Sequence, residues 1–376
     1  MRKEEKSLKK QYMQLRVKLK YYHFLPIIVL VLALIGLVFI YSASCYSAEI
    51  EFGDKFFYVK KQGLSLAAGV IFMFLGLKLK TELLMKLKWV IFAVSVVLLA
   101  LVFIPGLGVE SYGATRWLNL GIFTIQPSEI AKFGFMIFLA GYLCEHSAKK
   151  LSNLIIPILC ALIICGLIII EPNMSITMVV GASFLIMLFV SGLDVKWLFV
   201  LLIFVLLAGV GLIFAEPYRM ERLFAFIDPW QNPKAEGYQL IQSYFALGNG
   251  GLFGVGLFNS RQKYLFLPFA ESDFIFSIIG EETGFLGAFF IMLLFLGVII
   301  LGIKIARRSN SRFHALLVTG IISILAIQSI VNFAVVTGTI PPTGVPLPLV
   351  SAGGTSLVTF MFVIGLVVNV ARNHSE

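Results

Sequence analysis

The chain predicts an all-α, polytopic integral membrane protein with about ten transmembrane helices, and three observations predict it. Hydrophobic residues make up 59% of the 376 positions and charged residues only 13%, more apolar material than a soluble core uses. Uncharged apolar runs recur along nearly the whole length. The lysines and arginines fall unevenly between the segments that join those runs.

The runs cover residues 24–45, 62–77, 89–107, 133–144, 154–170, 174–192, 197–215, 283–303, 315–336 and 352–371. Ten spans put both termini on one side. The second and fourth runs fall short of the roughly 17 to 25 residues that a helix needs to cross about 30 Å of hydrocarbon. The second extends by snorkelling Lys60 and Lys61. The fourth reaches full length only by drawing 127–132 into the outer leaflet, which places Glu129 and Lys132 in or beside the bilayer and points to a polar cavity.

With the amino terminus inside, 20 of the 30 lysines and arginines are cytoplasmic, eight of them in the basic segment 1–23. Of the external ten, Arg219, Arg222, Lys234, Arg261 and Lys263 sit in one large extracellular loop, 216–272, between helices 7 and 8. The positive-inside rule therefore gives both termini to the cytoplasm, within a single membrane domain of 1–376. The net charge of +10 follows from the same bias, so no nucleic-acid partner is needed to explain it. Ser42-Ala43-Ser44-Cys45 loosely resembles a lipoprotein processing site. A run of 22 residues is long for a signal core, however, and Ser42 stands where a large aliphatic residue belongs, so the first span is read as an uncleaved helix. Cys45, Cys144, Cys160 and Cys165 read as small packing residues, and the scattered His23, His146, His314 and His374 form no metal-ligand cluster.

The polar residues concentrate on the outer face. Pro127 fits the first turn of a helix, and Glu129 and Lys132, spaced i to i+3, meet on one face, either as a capped surface pair or as a pair drawn into the leaflet. Glu171-Pro172-Asn173 is a tight external turn with a carboxylate at its apex, a simple turn or a cavity lining. Within 216–272, the apolar spacing of 237–244 suggests an interfacial amphipathic helix, and Gly248, Gly250, Gly251, Gly254 and Gly256 make turns or let backbone approach a ligand. No Walker-type Lys follows them. On a helix beginning near Asp273, Ser277 lies about 40° round, Gly280 about 20° and Glu281 about 80°, so span eight has a polar outer side. Glu271 and Asp273 are either helix-start acids favoured by the macrodipole or part of a site. They share this face with Arg116, Lys132, Arg219, Arg222 and Arg261, a set suited to an anionic, lipid-linked substrate. Between spans nine and ten, 337–356 carries four prolines, four glycines and hydroxyls including Ser351 and Thr355. Such irregular backbone is tolerated at membrane depth only against protein or a water-filled cavity.

Four motifs in order, Ala114-Thr115-Arg116-Trp117, Gln126-Pro127-Ser128-Glu129-Ile130-Ala131-Lys132-Phe133, Glu271-Ser272-Asp273-Phe274-Ile275-Phe276 with Glu281-Glu282-Thr283-Gly284, and the 337–356 segment, closely resemble those of the SEDS family (shape, elongation, division and sporulation). The resemblance runs from span one to span ten and is nearest the FtsW/SpoVE branch. Many relatives carry Asp where this chain has Asn173, so no role of that acid transfers.

The resemblance implies a peptidoglycan glycosyltransferase that polymerises lipid II into glycan strands on the outer face of the bacterial cytoplasmic membrane, in division or sporulation. Its implied partners are a class B penicillin-binding protein transpeptidase and divisome or sporulation proteins. It makes Asp273 the catalytic residue, the general base on the acceptor hydroxyl, with inversion at the donor sugar. Arg116, Lys132, Arg219, Arg222 and Lys263 would neutralise the undecaprenyl diphosphate leaving group, with Glu129 holding Lys132 in place. Glu171, Ser351 and Thr355 complete the expected substrate-binding set. A divalent cation, Mg or Mn, bridging the diphosphate is compatible with this chemistry, although the sequence holds no dedicated ligand cage. A lipid II flippase or other transporter would line a path through both leaflets with such charges, whereas these cluster at one. A non-catalytic scaffold for the transpeptidase would need no buried ions.

Overall fold

A computed structural model of the chain describes residues 2–111, 114–119, 121, 123–214, 216–233 and 237–373. It is mostly helical, and each of the ten apolar runs coincides with a helix: α1 (Arg2–Phe52), α2 (Phe57–Lys78), α4 (Lys88–Leu101), α5 (Pro127–Glu145), α6 (Ile155–Ile170), α7 (Met174–Val190), α8 (Val195–Phe214), α11 (Ile275–Arg308), α12 (Arg312–Val336) and α13 (Gly354–Asn373). The short α3 (Thr81–Lys86), α9 (Pro217–Ile227) and α10 (Tyr238–Gly250) lie between them. Among the described residues seven helices are long and apolar enough to cross a membrane, while α4 and α7 are apolar but shorter. The side chains of 1–22 lie outside the described residues, and with them nearly all of the basic amino-terminal segment.

The expectation of an all-α chain needs one correction. The segment before α5 folds as a small antiparallel sheet of β1 (Gly108–Ser111), β2 (Ala114–Asn119) and β3 (Thr124–Ile125) in the order β1-β2-β3. Val109 pairs with Trp117 and Leu118 with Ile125, and a bulge follows Val109. The strands are too short to give a readable alternation, which is why the sequence hides them. Loop 216–272 likewise contains two helices, α10 where the amphipathic spacing indicated and α9 carrying Arg219 and Arg222.

The centre of the bundle is α5, α12 and α13, whose side chains are largely buried. α5 packs on α4 and α12, and α13 runs along α2. That last contact is close because glycines on both helices admit the facing backbone: a Cβ on Gly365 would stand 2.1 Å from the Met73 carbonyl oxygen, and one on Gly76 2.4 Å from that of Phe362. α8 is the opposite case. None of its side chains is buried, and it packs mainly on α7 and α9.

α11 is interrupted at Gly284, whose φ of 68° and ψ of −169° are open essentially to glycine alone. The amide and carbonyl groups freed by the break are taken up by the glycine-rich stretch before it in sequence. Val255 N donates to Glu281 O at 3.0 Å, Gly256 N to Glu282 O at 3.1 Å, and Phe285 N to Gly251 O at 2.8 Å. Gly250 and Gly254 serve close backbone packing against α11: a Cβ on them would stand 2.0 Å from Gly280 O and 2.2 Å from Glu282 O.

Candidate active site

Asp273 lies two residues before the start of α11, in a turn, half-buried. Its Oδ1 accepts a 2.8 Å hydrogen bond from Ser272 Oγ. The backbone beneath it is held at three successive carbonyls. Ala352 N donates to Glu271 O at 2.9 Å, Ser351 Oγ to Ser272 O at 2.5 Å, and Asn332 Nδ2 to Asp273 O at 2.8 Å. Burial pushes the Asp273 carboxyl above its ordinary value, against the Ser272 hydrogen bond and the nearby Arg222 guanidinium, which favour the ionised form. Burial also raises Glu271, with Asp273 and Glu51 adding to the effect.

The donors come from α12 and from the irregular link between α12 and α13. That link has its own carbonyls satisfied by side chains around it. Thr343 O accepts from Ser175 Oγ of α7, Val345 O and Pro346 O from Asn332 and Gln328 of α12, and Ser351 O from Gln62 of α2. Residues 345–351 are mostly buried in protein, as such backbone requires at membrane depth, while Thr337, Thr339 and Gly344 are exposed.

Glu129 and Lys132 form an ion pair of 2.8 Å, and both are buried, Lys132 completely. The surface-pair alternative therefore does not hold for this helix. Pro127 opens α5 at its first turn, as its fixed φ and missing donor favour, so the pair falls one turn into the bundle. Lys132 Nζ also donates to Gln328 Oε1 at 2.9 Å and stands 4.8 Å from the centre of the Phe360 ring.

The other expected site residues are distributed around this centre. Thr355 Oγ1, at the start of α13, accepts from Gln126 N at 3.2 Å, joining α13 to the entry of α5. Arg116 reaches from β2 to the turn after α6, where Nε donates to Glu171 O at 3.1 Å and Nη2 to Pro172 O at 2.5 Å. The Glu171 carboxyl is fully buried with no hydrogen-bond partner, and burial pushes its pKa up to about 8 despite the opposing Arg116 charge. Asn173 accepts from Ile176 N at 3.3 Å and caps α7. Arg219 donates to Leu212 O of α8 at 2.7 Å, while Arg222 is exposed.

Lys263 is buried and turned toward α11, donating to Phe258 O and standing 3.8 Å from Glu282. Glu281 is buried as well, accepting from Ser260 Oγ, Arg261 N and Gln262 N. The polar outer side of span eight thus anchors the loop that leads to Asp273, and Ser277 bonds Ser243 of α10 at 2.8 Å. Between that loop, the C-terminal end of α1 and the start of α2 lies a cavity of about 240 Å³ bordered by Ser47, Glu51, Tyr58, Lys263, Pro268 and Glu271. Among the described residues no group of three or more His, Cys, Asp or Glu is placed to hold a metal ion.

Gln62, Gln328 and Asn332 are missing from the sequence-derived set. The available signal was their position as neutral amides inside apolar spans, with Gln328 and Asn332 one turn apart on one face of α12.

A family model for the FtsW, RodA and SpoVE proteins, described as cell cycle proteins, matches residues 22–376. Stage V sporulation protein E of Bacillus subtilis (strain 168) is 40% identical over 353 residues, spanning 93% of this chain and 96% of its own length. A probable peptidoglycan glycosyltransferase FtsW from Geobacter sp. (strain M18) is 38% identical over 354 residues, spanning 92% and 96%. Among solved structures, a chain of a peptidoglycan synthase complex that coordinates polymerization and crosslinking superposes with a TM-score of 0.78 at 28% identity, over 93% of this chain and 97% of that one. The rod shape determining protein RodA of Thermus thermophilus superposes with a TM-score of 0.69 at 26% identity, over 94% and 97%.

Proposed function

The chain belongs to the family of the FtsW, RodA and SpoVE cell cycle proteins, and on that premise we propose that it is a peptidoglycan glycosyltransferase that polymerises lipid II. The reaction joins the acceptor sugar hydroxyl to the anomeric carbon of the donor while undecaprenyl diphosphate departs. It takes place on the outer face of the bacterial cytoplasmic membrane, with the amino terminus on the basic, cytoplasmic side.

The observation that carries the chemical assignment is the setting of Asp273: a half-buried carboxylate on a backbone fixed at three consecutive carbonyls. Deprotonating a sugar hydroxyl needs a base held within hydrogen-bond reach, with a proton affinity above that of a free carboxylate. Burial supplies the second requirement and the pinned backbone the first. Asp273 takes the acceptor proton as the new glycosidic bond forms at the opposite face of the donor from its leaving group, giving inversion. Arg222, near enough to act on Asp273, and Arg219 stand on α9 where they can neutralise the departing diphosphate. Lys132 contributes positive potential from inside the bundle, oriented by Glu129 and Gln328.

A class B penicillin-binding protein transpeptidase is the partner that this reading implies, because a similar chain occurs in a peptidoglycan synthase complex with both polymerization and crosslinking. Purified protein given lipid II tests the function directly, with glycan products sized on a gel. Asp273→Asn should insert and fold normally yet slow polymerisation about 100-fold or more, as loss of a general base does. Chains of near-normal length and rate from that variant would remove Asp273 from the mechanism. In the active protein the acid limb of the pH profile should fall above the ordinary carboxylate range, since the base must be ionised and burial raises its pKa.

A further inference from the structure

Two neutral amides on α12 are buried completely in an otherwise apolar face, and each bridges two parts of the site. Gln328 accepts from Lys132 Nζ at 2.9 Å and donates to Pro346 O at 3.1 Å. One turn further along, Asn332 uses both hydrogens of a single Nδ2, one on Asp273 O at 2.8 Å and one on Val345 O at 2.7 Å. The Asn332 Oδ1 is left buried without a partner. An orphaned acceptor costs stability, and the amide is kept at that cost for the two backbone carbonyls that its nitrogen holds.

We propose that Asn332 is a positioning residue for Asp273: it fixes the Asp273 main chain to the α12–α13 link, and through Gln328, one turn away, to the buried Lys132 cation. The inference rests on the assignment of Asp273 as the base. With no donor at 332, the Asp273 carbonyl and the Val345 carbonyl lose their common tether. The turn before α11 can then rotate about the two remaining bonds, at Glu271 O and Ser272 O. A carboxylate displaced by about 1 Å loses rate steeply without losing affinity for a substrate that is held elsewhere.

The test is steady-state polymerisation by the full chain in detergent or vesicles, with lipid II as substrate. Asn332→Asp keeps the shape and removes the donors, and Asn332→Ala removes both shape and donors, so one variant covers for the other if either fails to accumulate. The expected result is a fall in kcat of about 10- to 100-fold with KM changed less than about twofold, and a displaced acid limb of the pH profile. In the Asp273→Asn background the same substitutions should cause no further loss, because Asn332 acts through a base that is already gone. Full kcat in both single variants, or a loss that multiplies with Asp273→Asn, would sink the positioning role while leaving Asp273 as the base. Normal turnover by Asp273→Asn alone would overturn the base assignment and the positioning role together.

Discussion

The α12–α13 link and α8 are opposites within one molecule. The link has no regular secondary structure, yet its backbone oxygens are held by side chains from α2, α7 and α12, and it returns two donors to the turn that carries Asp273. α8 is a regular 20-residue helix with no buried side chain. Regularity and constraint are therefore uncoupled. In lipid a helix satisfies its own backbone and needs few neighbours, whereas an irregular segment persists only where neighbours determine it, and that over-determination is what the role proposed for Asp273 requires.

The comparison is broken most severely by removing a charge from the determined region. Lys132→Ala leaves Glu129 buried with its partner gone and deprives Gln328 of its donor. Loss of one partner from a buried pair costs about 3–5 kcal/mol, so thermal stability and polymerisation should both drop sharply. Lys149→Ala, at an exposed site, should stay within about 0.5 kcal/mol of the parent. Equal melting temperatures for the two would show that the α5 pair is not part of the constraint.

A subtler probe is the Glu171 carboxyl. Its pKa rises from 4.5 to about 8 in the folded protein, so the native state keeps a proton that the unfolded chain releases. Stability should then decline as pH climbs from about 4.5 to about 8 and level off above. Glu171→Gln removes that slope. The variant should match the parent near pH 5 and be more stable near pH 9 by up to a few kcal/mol, since each pH unit between 4.5 and about 8 contributes about 1.4 kcal/mol. Parallel melting curves at both pH values would contradict the buried setting of this carboxyl.

The smallest effect belongs to α8. Phe204 is well exposed on a helix that lies at the periphery. Phe204→Ala should change stability and turnover by no more than about 0.5 kcal/mol, in contrast to the 3–5 kcal/mol expected of a buried core phenylalanine such as Phe360. A large loss at Phe204 would mean that α8 is held by a partner chain.

The sequence displayed the helical framework because oil and charge set it. Apolar runs mark the helices, Pro127 marks the entry to α5, and the shortfall of the fourth run correctly indicated that Glu129 and Lys132 lie inside. The order of motifs indicated the family. What stayed hidden depends on pairings between distant segments. Lys263 read as a substrate-facing cation because nothing local reveals Glu282 beside it, and the burial of Glu281 was hidden because its three donors arrive from about 20 residues earlier. Asn332 and Gln328 carry no charge and sit in a run that reads as plain membrane helix, so their role emerges only once the carbonyls of 273, 345 and 346 are placed beside them.

The break at Gly284 also sets a direction. Unbroken, the 34 residues of α11 would measure about 51 Å, far more than the roughly 30 Å of hydrocarbon available. The stretch from Phe285 to the terminal Arg307 and Arg308 measures about 36 Å, close to one membrane thickness, and ends in cations of the kind that anchor at a headgroup layer. The remaining two and a half turns, from Ile275 to Thr283, do not prolong that stretch: Phe276 and Phe295, on either side of the break, both pack on Phe333 of α12, with ring centroids 4.7 and 5.7 Å away, so the short arm runs back alongside the long one. Gly284 thus works as a reversal point: it folds the short arm back into the bundle, so that Asp273 at the head of that arm meets Asn332 of α12 instead of projecting beyond the long arm.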